Sequence, residues 1–151
     1  MDYGDIPAWI ALILSLVSLR KQHQSEKGSK TTAEIALKVE RLDAIESSLT
    51  QVRTSAIAYW LHPEAVSAKD GLMLLHYLKE LSADVSSYSN LLWPDAWRDV
   101  LELKMQTTGS NFQQANRTGL PANDPLIRAF TDTAAEISRK LKRARDEVKS
   151  S

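Results

Sequence analysis

The sequence contains no cysteine, which rules out disulfides, thiolate-bound metal and a cysteine nucleophile, and leaves the redox compartment open. Glycine and proline are scarce, five of each in 151 residues, which is out of keeping with a turn-rich all-β chain. Nor is there an excess of charge: 19 basic side chains stand against 19 acidic ones. A net charge of zero gives the molecule no electrostatic pull toward nucleic acid, which is not expected as a partner. His23, His62 and His76 lie far apart, with no His-x-x-x-His or Glu-x-x-His pair, so no metal site is expected. No Gly-rich phosphate loop and no Gly-x-Ser-x-Gly elbow occurs either. Nothing supports a catalytic residue or a cofactor, and the chain is expected to be non-enzymatic.

What is present begins with Ile6–Leu19, fourteen residues without a charge, closed by Arg20 and Lys21. At ~1.5 Å per residue the run makes ~21 Å of helix, short of a ~30 Å hydrocarbon core. Counted from Tyr3 to Lys21 it reaches ~28 Å. On this reading Tyr3 and Trp9 sit at one membrane interface while Arg20 and Lys21 reach the opposite headgroups. Asp5 is positioned to cap the helix and Pro7 falls in its first turn. The acidic start, Met1-Asp-Tyr-Gly-Asp5, argues against a secretory signal peptide, which needs a basic n-region. Residues 1–19 are therefore expected to form a short transmembrane anchor carried by Ile6, Trp9, Ile10, Leu12, Ile13, Leu14, Leu16, Val17 and Leu19. Lys and Arg follow the run and none precede it, so the N-terminus is expected outside and the body in the cytoplasm.

Residues 20–31 are polar, carry Arg20, Lys21, Lys27 and Lys30 against Glu26 alone, and contain Gly28; they read as a basic juxtamembrane linker. Thr31-Thr-Ala-Glu34 has the form of a capping box. Beyond it Ile35, Leu42, Ile45, Leu49, Val52, Ala56 and Tyr59 follow a heptad seam. Such a seam fits either self-association in a coiled coil or one helix of an antiparallel bundle. The helix should close before Pro63. A second should run from the Pro63–Ser67 region to about Leu92, with Leu72, Leu74, Leu75, Leu78, Leu81, Val85, Tyr88 and Leu92 inward and His76 partly buried among them.

Trp93-Pro-Asp-Ala-Trp97 predicts a corner with Pro94 as first residue of a third helix, whose stripe is Trp97, Val100, Leu101 and Met105. Residues 109–124 are irregular and contain a formal glycosylation triplet at Asn116. Asp124-Pro125 pairs a cap with a first-turn proline. It opens a last helix with Ile127, Phe130, Ala134, Ile137, Leu141, Ala144 and Val148 on one face.

The expectation is an all-α chain: a short N-terminal transmembrane helix, a linker, then over residues 32–151 a long coiled-coil-like helix and an antiparallel bundle. Its function is expected to be scaffolding, recruitment or regulation through a protein partner, with membrane lipid contacted by the first helix. Trp60, Trp93 and Trp97 are candidates for the partner surface, and Arg139, Lys142 and Arg143 for contact with an anion. Two alternatives stand beside this. One is a soluble bundle whose first helix is a core or subunit contact. In the other the body lies outside the cytoplasm; small phage-lysis proteins with an N-terminal anchor resemble this chain in length and layout, although the flanking charges oppose that orientation.

Overall fold

The computed structural model describes residues 6–62, 68–109, 112–114 and 117–150, with side chains from Thr31 onward, Ala68 excepted. Among them are four helices and no strand: α1 Ile6–Leu61, α2 Ala68–Ser87, α3 Ala96–Thr107 and α4 Pro125–Ser150, with a 3-10 turn at Ser89–Leu91 before α3. The all-α expectation holds. The chain divides into two compact units, Met1–Leu37 and Lys38–Ser151.

The first unit contains the start of α1. The break expected at 20–31 does not occur: α1 is continuous through Gly28 and through the capping-box sequence at Thr31. One glycine costs a helix about 1 kcal/mol, and the surrounding Arg, Lys, Gln and Glu are good helix formers. No helix among the described residues is long and apolar enough to cross a membrane. The expected span therefore finds no support there. Arg20 and Lys21 close the run at one end, and Tyr3 and Asp5, which were to extend it, lie outside the described residues.

The second unit is a four-helix bundle, and pairs of contacts fix its direction. Cross-links from Tyr59 to Gly71 and from Ser48 to Asp84 run α1 and α2 antiparallel. Glu46 meets Ser138, and Trp60 meets Leu120 just ahead of α4, so α4 is also antiparallel to α1. Asp99 meets Lys140 while Thr107 meets Trp60, which sets α3 antiparallel to α4. The result is the up-down-up-down order of a simple bundle.

Each helix contributes one stripe to a common core: Leu42, Ile45, Leu49, Val52, Ala56 and Tyr59 from α1, and Leu74, Leu78, Leu81 and Val85 from α2. From α3 come Ala96, Val100 and Leu103, and from α4 Ile127, Phe130, Ala134, Ile137, Leu141 and Ala144. These positions recur at three- and four-residue spacing, as a helix facing a core on one side requires.

Three details differ from expectation. The helix expected to continue to Leu92 ends at Ser87, and Leu72 and His76 are exposed, His76 against Glu80 at 3.2 Å. Pro94 stands outside α3, whose N-cap is Asp95 in the left-handed region at φ 62°; aspartate tolerates that conformation better than most residues. Asp124 does cap α4, its Oδ1 accepting from Leu126 N–H at 2.8 Å.

The core supplies two stability tests. Phe130→Ala should lower unfolding free energy by about 3–5 kcal/mol in denaturant titrations, because the buried ring leaves a cavity. Gly71 is buried, and a Cβ there would stand 3.1 Å from Tyr59 Cε2. Gly71→Ala should therefore cost about 1 kcal/mol through crowding, despite alanine's better helix propensity. A raised midpoint would show that Tyr59 gives way.

Candidate functional site

The heptad seam is occupied inside the chain. Leu42, Ile45, Leu49 and Val52 are buried in the bundle core, and Ile35 is half-buried. A seam that faces three neighbouring helices offers no stripe to a second copy.

The tryptophans divide. Trp60 is 2% exposed and is part of the core rather than of a partner surface. Its Nε1–H donates to the Thr107 carbonyl at 3.0 Å, and its own carbonyl accepts from Leu120 N–H at 2.9 Å. Tyr59 beside it meets Trp60 edge-on, with Phe112 4.9 Å from its ring centroid. The Tyr59 hydroxyl accepts from Gln113 N–H at 2.9 Å, and the Arg117 guanidinium lies 3.6 Å over the ring. The segment between α3 and α4, legible from sequence only as irregular, thus straps down this end of the bundle through aromatic and cation–π contacts. Asn116 lies outside the described residues.

Trp93 is half-buried at the opposite end of α3. Its Nε1–H donates to Asp99 Oδ2 at 2.7 Å, the oxygen that Lys140 Nζ reaches at 2.8 Å. Lys140 also pairs with Glu136 at 3.2 Å. The hydrogen bond to Asp99 holds the Lys140 ammonium above its ordinary value of 10.5.

Trp97 is different. It is 54% exposed, and one turn apart along α3 follow Leu101 at 44% and Met105 at 60%. Leu101 and Met105 were expected on one stripe with Val100 and Trp97, Trp97 being also a candidate for the partner surface; of the four only Val100 is buried. Instead α3 is turned so that Ala96, Val100, Leu103 and Thr107 face the core. Thr107, fully buried, satisfies its hydroxyl by donating back to Leu103 O at 2.8 Å. Small Ala96 and polar Thr107 gave the sequence no signal of an inward face, whereas large Leu101 and Met105, grouped with Val100, suggested a stripe that the structure leaves exposed. α3 therefore carries two opposed faces, one packed and one bare. Beside Trp97 opens a groove of about 530 Å³ between the end of α2 and the start of α3, lined by Val85, Leu92, Trp93 and Pro94 among others.

Arg139, Lys142 and Arg143 are exposed on α4, interspersed with exposed Glu136, Asp146 and Glu147. Two other cations of that helix turn inward: Lys140 as above, and Arg145 toward α1, where it meets Asp43 at 2.6 Å and forms a short ion pair with Glu46. The hydrogen bond from Arg145, opposed by partial burial and helped by the Ser138 hydroxyl, holds the Glu46 carboxyl below its ordinary value of 4.5. The side chains of Ile6–Leu19 and of Arg20 and Lys21 lie outside the described set. Among the described residues no group of His, Asp and Glu could hold a metal ion.

A carboxylate with a depressed value stabilises the fold in full above its unfolded value, and that contribution is lost as pH falls through the folded one. Stability should therefore drop as pH is lowered below about 4.5, and Glu46→Gln should flatten part of that slope in thermal melts taken across the acid range. An unchanged slope would show that the Arg145 pair contributes nothing net. Comparison with protein-family models, with curated proteins and with solved structures found no match to this chain.

Proposed function

We propose that this chain is a membrane-anchored, non-catalytic interaction protein whose helical body holds a protein partner at the membrane face. The bare stripe of Trp97, Leu101 and Met105 on α3 is the observation that carries the reading. A helix that already packs one apolar face into the core gains nothing within its own fold from a second one. Contiguous exposed apolar surface on a monomer marks interaction sites, and Trp is prominent among residues that dominate binding energy. The non-catalytic part rests on the sequence, in which the histidines are scattered and no nucleophile motif occurs.

The anchor rests on the uncharged run Ile6–Leu19 and on its flanks, Asp2 and Asp5 before and Arg20 and Lys21 after. That asymmetry supports an N-terminus outside and a body in the cytoplasm, with a span from about Tyr3 to Lys21 on this reading. Confinement to the membrane raises the effective concentration of anything tethered nearby, which suits recruitment or scaffolding. A second reading, in which Ile6–Leu19 contacts another subunit instead of lipid, is favoured by the finding that no described helix is long and apolar enough to span.

Alkaline extraction of membranes from cells expressing the full chain, followed by chemical cross-linking in place, tests both parts. The chain should stay with the pellet, and Leu101→Asp should remove its cross-linked adducts while leaving the thermal midpoint unchanged. Release into the alkaline wash rejects the anchor. Adducts that persist in both Leu101→Asp and Met105→Asp reject the stripe.

A further inference from the structure

We propose that the occupant of the α3 stripe is a second copy of this chain, docked antiparallel about a two-fold axis that passes by Leu101. The inference rests on the reading of the stripe as a binding surface, and adds the identity and register of the partner.

Four-residue spacing puts Trp97, Leu101 and Met105 at successive levels about 6 Å apart along α3. An antiparallel copy centred on Leu101 then sets each Leu101 against its counterpart and each Trp97 level with Met105 of the second copy. A broad ring and a flexible thioether make a good pair, since Met fills irregular gaps and its sulfur contacts aromatic rings favourably.

Charge complementarity argues for this register. Arg98 and Glu102 lie on the same flank of the stripe, four residues apart. A two-fold axis perpendicular to both helices keeps that flank on the same side in both copies. Arg98 then falls within about 3 Å, along the helix axis, of Glu102 of the second copy, and symmetry repeats the pair. Within one copy the Arg98 guanidinium lies 5.3 Å from the Trp97 ring centroid, and the remaining commitments of these groups are weak. Arg98 pairs with Asp95 at 3.5 Å, both largely exposed, and Glu102 accepts from Gln106 at 3.0 Å in the open. Exposed contacts of this kind contribute little, so exchanging them is easy. The other flank carries Lys104, and the two copies of it stand about 9 Å apart along the axis, close to one screening length at physiological salt.

The three side chains offer on the order of 300 Å² of apolar surface per copy, extended by the groove beside Trp97. A standard dimer buries about 800 Å² per partner, so the association is of the weak class. Two chains confined to one membrane supply the concentration that such a contact needs.

Because the sequence lacks cysteine, a single introduced thiol reports geometry without background. Mild oxidation of the full chain in membranes should give a disulfide dimer with Leu101→Cys. With Trp97→Cys alone the yield should be roughly tenfold lower, since its two copies lie about 12 Å apart along the axis, beyond disulfide reach. Co-expressed Trp97→Cys and Met105→Cys chains of different tag length should restore a mixed dimer. A folded Leu101→Cys chain that stays monomeric overturns the proposal, as does equal cross-linking at Leu101→Cys and Trp97→Cys. If it stays monomeric while Leu101→Asp still removes adducts from cells, the stripe binds another protein and only self-docking falls. If the thiol stays monomeric and is shielded from a water-soluble maleimide only when lipid is present, the stripe faces a membrane surface and the proposal is again overturned.

Discussion

One indole closes the bundle. Trp60 stands in the last turn of α1, donates to the final turn of α3 through the Thr107 carbonyl, and accepts from Leu120 on the approach to α4. Three chain segments far apart in sequence therefore share one buried side chain and its own backbone. Helix ends leave carbonyls without intrahelical partners, and these two bonds supply donors to the carbonyls of Thr107 and Trp60. The turn of α3 accords with it: α3 faces the core with Ala96, Val100, Leu103 and Thr107, whose carbonyl meets Trp60, and Trp97, Leu101 and Met105 lie on the outside.

This constraint also marks the limit of what could be read in advance. The core stripes of α1 and α4 were legible residue by residue, because their apolar positions recur at unbroken three- and four-residue spacing and compete with nothing. Asp124 and Pro125 announced the start of α4 by the same local chemistry that forms it. α3 misled because hydrophobicity is a statement about what a side chain prefers, whereas here large Leu101 and Met105 stand exposed while small Ala96 and polar Thr107 share the inward face with Val100 and Leu103. The linker misled for the opposite reason: polar composition looks like a break, yet most of its residues are compatible with continuous helix. The strap was invisible, since its hold on Tyr59 depends on an arginine over a ring and a backbone N–H, neither of which has a sequence signature.

Burial also bears on the heptad seam. A heptad seam is ambiguous between partners inside and outside the chain, and here its residues from Leu42 to Tyr59 are spent on the inside. The surface proposed for association is a shorter stripe on a shorter helix, with four-residue spacing and a charged flank.

The two ends of the bundle are held by different physics. At the Trp60 end the contacts are aromatic packing and hydrogen bonds to buried groups. At the other end Arg145 joins Asp43 and Glu46, Lys140 joins Asp99, and Arg41 lies over Tyr88. Ionic strength weakens exposed ion pairs most, and the buried ring packing and hydrogen bonds at the Trp60 end least, although Arg117 over Tyr59 is itself an electrostatic contact. The two ends should therefore differ in their response to salt, the ion pairs in the C-terminal half of α4 being the more sensitive. The bundle thus has, in its response to solvent, a front and a back.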